Sequence, residues 1–423
     1  MLRSSVSRAT SPNWKRAWQD SSAAVLDSLR ASLASGDAEA AFPAAVVEET
    51  LRQDAALIAG IAAYRRHPWH RTLTDPPALW QEGGSRLLDY GAADSAGGAH
   101  GAVGSAGGDR GRGGSAGGSH DAVGSAGGAH GADGPTVLFV PSLINRAYVL
   151  DLAPDHSMLR WLAARGVRPL LLDWGWPGTA ERRFTLTDYV AGRLERALAE
   201  AVRQAGGPVV LAGYCMGGTL AVAAAERRPE LARALVLLAT PWDFHADDPA
   251  RARQAAACLP LLEPALAVAG TLPIDLLQML FALLDPWGVA RKYRGFSRLD
   301  PDGAAATLFV ALEDWLNDGV PLAAPVARAC LAEWYGENAP ARGRWHVAGL
   351  PVDPARLGMP SFVAAPERDR IVPPGSARVL AERIPAATLH IPKAGHVGMV
   401  AGSRAETELW RPLLAWLMRL GAT

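Results

Sequence analysis

Short apolar runs, set off by glycine, proline and charge, dominate the chain after residue 135. They fall at 136–140 (TVLFV), 167–173 (VRPLLLD), 208–213 (PVVLAG), 234–240 (ALVLLAT), 361–366 (SFVAAP) and 387–392 (ATLHIP). Runs this short, with no polar alternation, predict strands buried on both faces. Segments 156–165, 187–205 and 217–228 lie between them and are helical in pattern. Strand–helix alternation predicts an α/β fold with a mostly parallel sheet flanked by helices. Between 240 and 361 the rhythm breaks. That stretch is rich in Leu, Ala, Trp and Pro and predicts an inserted, mainly helical cap over 241–355.

Upstream, Ser85–Tyr90 also reads as a strand, but residues 91–134 do not fit any element. The tetrapeptide SAGG begins at 95, 105, 115 and 125, and 91–134 holds 17 of the 44 glycines and no aromatic residue. Such a segment cannot bury enough apolar area to offset its ordering entropy and predicts a flexible loop. Loop-closure entropy grows only logarithmically with length, so a long loop between two strands is tolerated. The expected organisation is therefore an N-terminal helical extension over 1–80 and one catalytic domain over 81–423, interrupted at 91–134. His100, His120 and His130 recur in the insertion, but Gly, Ala and Ser around them fix no metal geometry.

Charge narrows the function classes. The 423 residues carry 42 Lys+Arg and 42 Asp+Glu. No basic excess marks a nucleic-acid binder. Three cysteines, Cys215, Cys258 and Cys330, suit a reducing, cytoplasmic compartment better than a disulfide scaffold. The start of the chain lacks the apolar core of a signal peptide. The most apolar stretch, 258–284, carries Glu263, Asp275 and three prolines, which argue against a transmembrane segment. It predicts a buried or lid helix pair; a greasy surface facing a lipid-like or polymer phase is the competing reading.

The sharpest local signal is Gly213-Tyr-Cys-Met-Gly217, between an apolar run and a helix-like segment. This G-x-C-x-G has the setting of a nucleophile elbow, with cysteine in the usual serine position. A sharp strand-to-helix turn brings backbones close, which requires Gly213 and Gly217. It also aims Cys215 at a helix N-terminus, where the dipole and free N–H groups favour a thiolate and an oxyanion. A buried structural cysteine is the competing reading. Asp369 and His396 each follow a predicted strand end, in the order nucleophile, acid, histidine. His396 is then the base for Cys215, and Asp369 sets the imidazole tautomer. His67, His70 and His390 fit less well. The oxyanion hole is expected from the Met216 N–H and either Leu143 or Ile144 in the loop after 136–140. Asp173, Asp243 and Asp314 are expected to cap or form buried hydrogen bonds. Most of Trp242, Trp287, Trp315 and Trp334 are expected to fill the cap core. No CxxC, H-x-x-x-H or dinucleotide glycine fingerprint is present, so no metal or redox cofactor is expected.

Taken together, Val140–Ser157 (VPSLINRAYVLDLAPDHS), Gly213–Thr219, Thr240–Phe244 (TPWDF), Asp369–Pro373 and Gly395-His396 resemble the polyhydroxyalkanoate synthases. Leu172–Pro177 (LDWGWP) and Leu186–Tyr189 (LTDY) are similar to the short synthases that act with a second subunit. The chain departs from that family in the 91–134 insertion and in Arg370, where a histidine is common. The resemblance implies an α/β-hydrolase fold and an acyltransferase polymerising 3-hydroxyacyl-CoA through an acyl thioester on Cys215, with CoA as leaving group. It implies 3-hydroxyacyl-CoA and the growing polyester as partners, a second synthase subunit or a homodimer, and a place at the storage-granule surface. Two other classes stay open: a hydrolase (thioesterase, esterase or polyester depolymerase) with the same three residues, and a non-catalytic granule coat.

Overall fold

A computed structural model describes residues 36–91, 134–282 and 287–420. The expected loop behaviour of the insertion, its three histidines and the first part of the N-terminal extension lie outside the described residues.

Eight strands form one sheet: β1 (Ala78–Glu82), β2 (Ser85–Asp89), β3 (Thr136–Val140), β4 (Arg168–Asp173), β5 (Val209–Tyr214), β6 (Ala232–Leu238), β7 (Ser361–Ala364) and β8 (Ala387–His390). Their spatial order is β1-β2-β4-β3-β5-β6-β7-β8. β2 runs antiparallel to both neighbours, and every pair from β4 to β8 is parallel. The ends of β3 to β8 fall within two residues of the apolar runs that predict them.

Burial on both faces explains the runs of β3 to β7; β8, expected to be buried on both faces, is an edge strand with Thr388 and Leu389 exposed. All six residues of β5 are buried. Val209 and Leu211 join the apolar core on one side of the sheet, while Val210, Ala212 and Tyr214 join the core on the other. β6 divides in the same way, with Leu235 and Leu237 facing one side and Val236 and Leu238 the other. Period-two geometry thus sends alternate apolar residues into two separate cores.

β1 differs from the sequence expectation, which placed residues 1–80 in a helical extension. Ala78–Glu82 instead pairs with β2 across the Gly83-Gly84 turn. It is a half-exposed edge strand with the sequence ALWQE, too polar and too short to resemble the buried runs.

Two compact units divide the chain. The described part of the smaller comprises the helix Gly36–Arg66 and residues 289–299. Tyr64 meets Tyr293 edge-on at 5.8 Å, and Arg294 Nε donates to the Gln53 carbonyl at 3.0 Å. The larger unit holds the sheet and most of the segment between β6 and β7. That segment is mainly helical, with helices at Pro249–Ala257, Leu259–Ala269, Ile274–Ala282, Ala304–Asn317 and Ala324–Ala329. A π-helical turn, Cys330–Gly336, follows the last of them. The apolar stretch beginning at 258 is thus a pair of short helices, parted at Gly270 (φ 67°). No helix among the described residues is long and apolar enough to cross a membrane. Trp242, Trp315 and Trp334 are buried core residues. Trp287 is not: it is 74% exposed.

Candidate active site

Three turns at the carboxyl ends of β5, β7 and β8 carry the site. The first holds Cys215, between β5 and the helix Met216–Arg227. Cys215 has φ 55° and ψ −131°, a conformation that L-residues avoid. Its N–H donates to the Leu238 carbonyl at 2.8 Å, and its carbonyl accepts from the Gly218 N–H at 2.9 Å. The strand and helix are thereby locked around a half-buried thiol.

Close backbone approach dictates the glycines. A Cβ at Gly213 would overlap the Gly218 backbone, and one at Gly217 would overlap the Val140 and Pro141 carbonyl oxygens. Gly218 is equally constrained, because a Cβ there would overlap the Thr240 side chain. Sequence reasoning missed it, although the doubled glycine in GYCMGG was its signal.

The second turn supplies Asp369 and the third His396; both side chains are buried. His396 Nδ1 donates to Asp369 Oδ2 at 2.7 Å. Asp369 Oδ1 accepts the N–H groups of Ile371 and Val372, each at 2.9 Å. The carboxylate is thus oriented by its own turn, and it in turn orients the imidazole. The Cys215 thiol lies within electrostatic range of the imidazole. Burial pulls the imidazole pKa down, but negative charge on Cys215 and Asp369 and the hydrogen bond to Asp369 outweigh it. His396 is pushed up to about 10. The sheet thus brings Cys215, Asp369 and His396 together from positions 27 to 181 residues apart.

Tyr214, which sequence reasoning did not single out, supports the imidazole. Its ring lies 5.2 Å from the His396 ring, and its hydroxyl donates to the His396 carbonyl at 3.4 Å. Burial, followed by the charges of Cys215 and Asp369, raises the phenol pKa well above its usual value. Tyr214 is therefore a neutral donor.

Of the expected oxyanion donors, Met216 is the first residue of its helix, so its N–H has no intrahelical acceptor. In the loop after β3, the Ile144 N–H is taken up by Ser142 Oγ at 3.1 Å. Leu143, which is buried, is left as the stronger of the two loop candidates. That loop is held by Trp174, whose Nε1 donates to the Pro141 carbonyl at 3.0 Å.

Its far end is held by Asp151, a fully buried carboxylate that sequence reasoning also passed over. Asp151 accepts from Ser157 Oγ at 2.6 Å, Arg160 Nε at 2.8 Å, and Tyr90 Oη and Arg71 Nη2 at 3.1 Å. The other singled-out carboxylates include two with local partners. Asp173 accepts from Arg86 and the Gly175 N–H; Asp243 accepts from Asn338 and the His245 N–H. Among the described residues no cluster of His, Cys, Asp and Glu could hold a metal ion.

The family described as alpha/beta hydrolase fold matches residues 135–402. The poly(3-hydroxyalkanoate) polymerase subunit PhaC of Haloferax mediterranei is 31% identical over 295 residues, which cover 68% of this chain and 59% of that protein. The protein of the same name from Allochromatium vinosum is 30% identical over 288 residues, covering 66% of this chain and 80% of that protein. This chain belongs to the poly(3-hydroxyalkanoate) polymerase family. A further polymerase subunit of that name, from Synechocystis, is 28% identical over 292 residues, covering 66% of this chain and 77% of that protein. The hydrolase-fold match contains Cys215, Asp369 and His396, so the polymerase family and the site geometry meet in one segment. The match ends at residue 402, before the last helix, Arg411–Arg419.

Proposed function

We propose that this chain is an acyltransferase that joins 3-hydroxyacyl units, delivered as CoA thioesters, into a polyester. The observation that carries the reading is the Cys215 thiol at the elbow, within electrostatic range of an imidazole that is itself held by Asp369. Family membership supports it.

The chemistry favours sulfur over oxygen at this position. His396 accepts the Cys215 proton, and the thiolate attacks the thioester carbonyl. The carbonyl oxygen gains charge, which the N–H groups of Met216 and Leu143 stabilise. The bond to the CoA sulfur breaks, and that sulfur takes the proton from the imidazolium. One thioester replaces another, so the acyl group stays activated. The hydroxyl of a second 3-hydroxyacyl unit then gives its proton to His396 and attacks the acyl carbon. The bond to the Cys215 sulfur breaks, an oxygen ester forms, and the proton on His396 is available to restore the thiol. Loss of the thioester makes this second step downhill. A serine would form the oxygen ester one step early and lose that driving force. Water must be excluded, or the acyl-enzyme is hydrolysed. The helical segment between β6 and β7, with its buried Trp242 and Trp334, supplies apolar cover. The relatives named as subunits support a second synthase subunit as partner.

Incubation with 3-hydroxybutyryl-CoA tests the reading. Release of CoA with insoluble polyester, and a mass increase of one or more hydroxyacyl units on Cys215, is the expected result. Release of CoA with only free acid overturns polymerisation in favour of a thioesterase. No adduct and no CoA release overturns both.

A further inference from the structure

Two cavities adjoin on the sheet domain. The first, of about 230 Å³, is lined mainly by apolar residues, among them Ala225, Pro229, Leu350, Leu357 and Met359. The second, of about 400 Å³, is lined by Arg342, Arg356, Arg383 and Asp353 around Pro351 and Val352. Pro351, Val352 and Arg356 border both. Leu350, at the first, is an exposed leucine.

Sheet topology keeps them apart from the catalytic turns. Pro229, Met359 and Arg383 lie just before β6, β7 and β8. Those strands are parallel to one another and to β5, so their amino ends share one edge. Cys215, Asp369 and His396 stand at the opposite, carboxyl edge. The helix Met216–Arg227 begins beside the thiol and ends on the first cavity; its 12 residues rise about 18 Å.

Four arginines border the cavities, and three of them have a carboxylate. Arg227 Nε meets Glu195 at 2.6 Å, Arg356 Nη1 meets Glu226 at 3.1 Å, and Arg383 Nη1 lies 4.0 Å from Asp353. Arg342 has none: among the described residues its side chain makes no hydrogen bond or ion pair. The nearby carboxylates are already engaged. Glu226 accepts the Asp353 N–H at 2.7 Å, and Asp353 accepts the Ala355 N–H at 3.1 Å. The backbone beside Arg342 is also held, because Arg383 Nη2 donates to the Ala341 carbonyl at 3.1 Å.

One unmatched positive charge thus borders a cleft that adjoins an apolar chamber. The matching ligand carries one negative charge on a planar head, which a guanidinium grips through two parallel hydrogen bonds, and a short apolar tail. A polyphosphate would bring more negative charge than one free guanidinium can meet. We propose that the two cavities together bind a medium-chain carboxylate, its head on Arg342 and its tail against Leu350, Leu357 and Met359. This site is separate from the thiol and does not depend on the acyltransferase reading.

Isothermal titration calorimetry of the full chain with octanoate, 1-octanol and acetate tests the proposal. Octanoate is expected to bind saturably at one site per chain. Octanol, which lacks the charge, should bind about tenfold more weakly, and acetate, which lacks the tail, should not bind at the same concentrations. Arg342→Gln, at an exposed position, is expected to weaken octanoate about tenfold, the scale of one hydrogen bond to a charged group, and to leave octanol unchanged. Arg342→Lys keeps the charge without the fork and should fall between. Absence of saturable octanoate binding overturns the proposal. So does an octanoate affinity that R342Q leaves intact, which would place the acid elsewhere. Equal weakening by Arg253→Gln, an exposed arginine on the helix Pro249–Ala257, also overturns it, since unspecific charge attraction would then account for the binding.

Discussion

Asp369 presents one carboxylate oxygen to His396 Nδ1, at 2.7 Å, and spends the other on two N–H groups of its own turn. The two oxygens have separate tasks, so they respond differently to substitution. Asp369→Asn has one oxygen for two tasks: held on the turn, it puts the amide NH2 against the imidazole; swung to the imidazole, it leaves the NH2 against the turn's own N–H groups. The tautomer and the charge that favour imidazolium are both lost. The fold is expected to persist, with an unchanged far-ultraviolet circular dichroism spectrum, while CoA release slows by roughly ten-thousandfold. A D369N enzyme with near-normal turnover would remove Asp369 from the mechanism.

Gly217 and Gly218 are adjacent but fail for different reasons when a methyl is added. At Gly217 the obstruction is main chain, the carbonyl oxygens of Val140 and Pro141. Gly217→Ala can be accommodated only by moving β3 away from the helix, at a cost of about 3 kcal/mol or more. At Gly218 the obstruction is the Thr240 side chain. Gly218→Ala is expected to cost about 2 kcal/mol, and adding Thr240→Gly removes every atom it strikes. Urea denaturation of G217A, G218A and each of them combined with T240G measures the difference. Rescue of G217A by T240G, or none of G218A, would contradict the geometry.

The strands most legible in the sequence were those with no polar face. β3 to β7 were found because burial on both sides leaves an uninterrupted apolar run; β8 has such a run too, although as an edge strand it is half-exposed. β1 was missed because an edge strand needs no such run: Ala78–Glu82 is half-exposed and contains Gln81 and Glu82. At the site, Cys215, Asp369 and His396 stood out because each follows a strand end, and parallel strands bring their ends to one edge. Asp151 and Tyr214 lay inside quoted motifs, but their tasks depend on partners as remote as Arg71 and His396. Of the four tryptophans, most of which were expected in the core, Trp287 is the one the chain leaves exposed, and composition could not single it out.

Asp151 ties the segment after β3 to the rest of the sheet domain, with Arg71, Arg160, Tyr90 and Ser157 all donating to its carboxylate. Asp151→Ala removes the carboxylate that both arginines share, although Arg71 keeps the Leu73 carbonyl and Arg160 the Thr74 carbonyl. Both keep some contact with water, at 21% and 30% side-chain exposure. The expected loss is therefore about 3 kcal/mol, the low end for breaking a buried pair. Asp151→Asn, which keeps the shape and two of the acceptor sites, should lose less. Urea midpoints for the two variants check the order. If D151A is as stable as wild type, the network is not what holds the loop.

The elevated pKa of His396 makes stability depend on pH with a definite sign. Its folded value is about 10, above the 6.5 of an ordinary histidine. Between those values the folded chain binds the proton more tightly than the unfolded chain does. The contribution is complete below 6.5, declines as pH rises, and is gone above 10. Cys215 supplies the leading interaction that opposes burial. Cys215→Ala therefore lowers the imidazole pKa and flattens the decline. Unfolding free energies between pH 6.5 and 9 should fall with pH in wild type and fall less steeply in C215A. Cys215→Ala also removes a thiol, which in an unfolded chain titrates at about 8.5, so the difference between the two curves reports the coupled thiol–imidazole pair. Parallel curves would mean that the thiol and the imidazole do not share charge, and the activation of Cys215 would need another source.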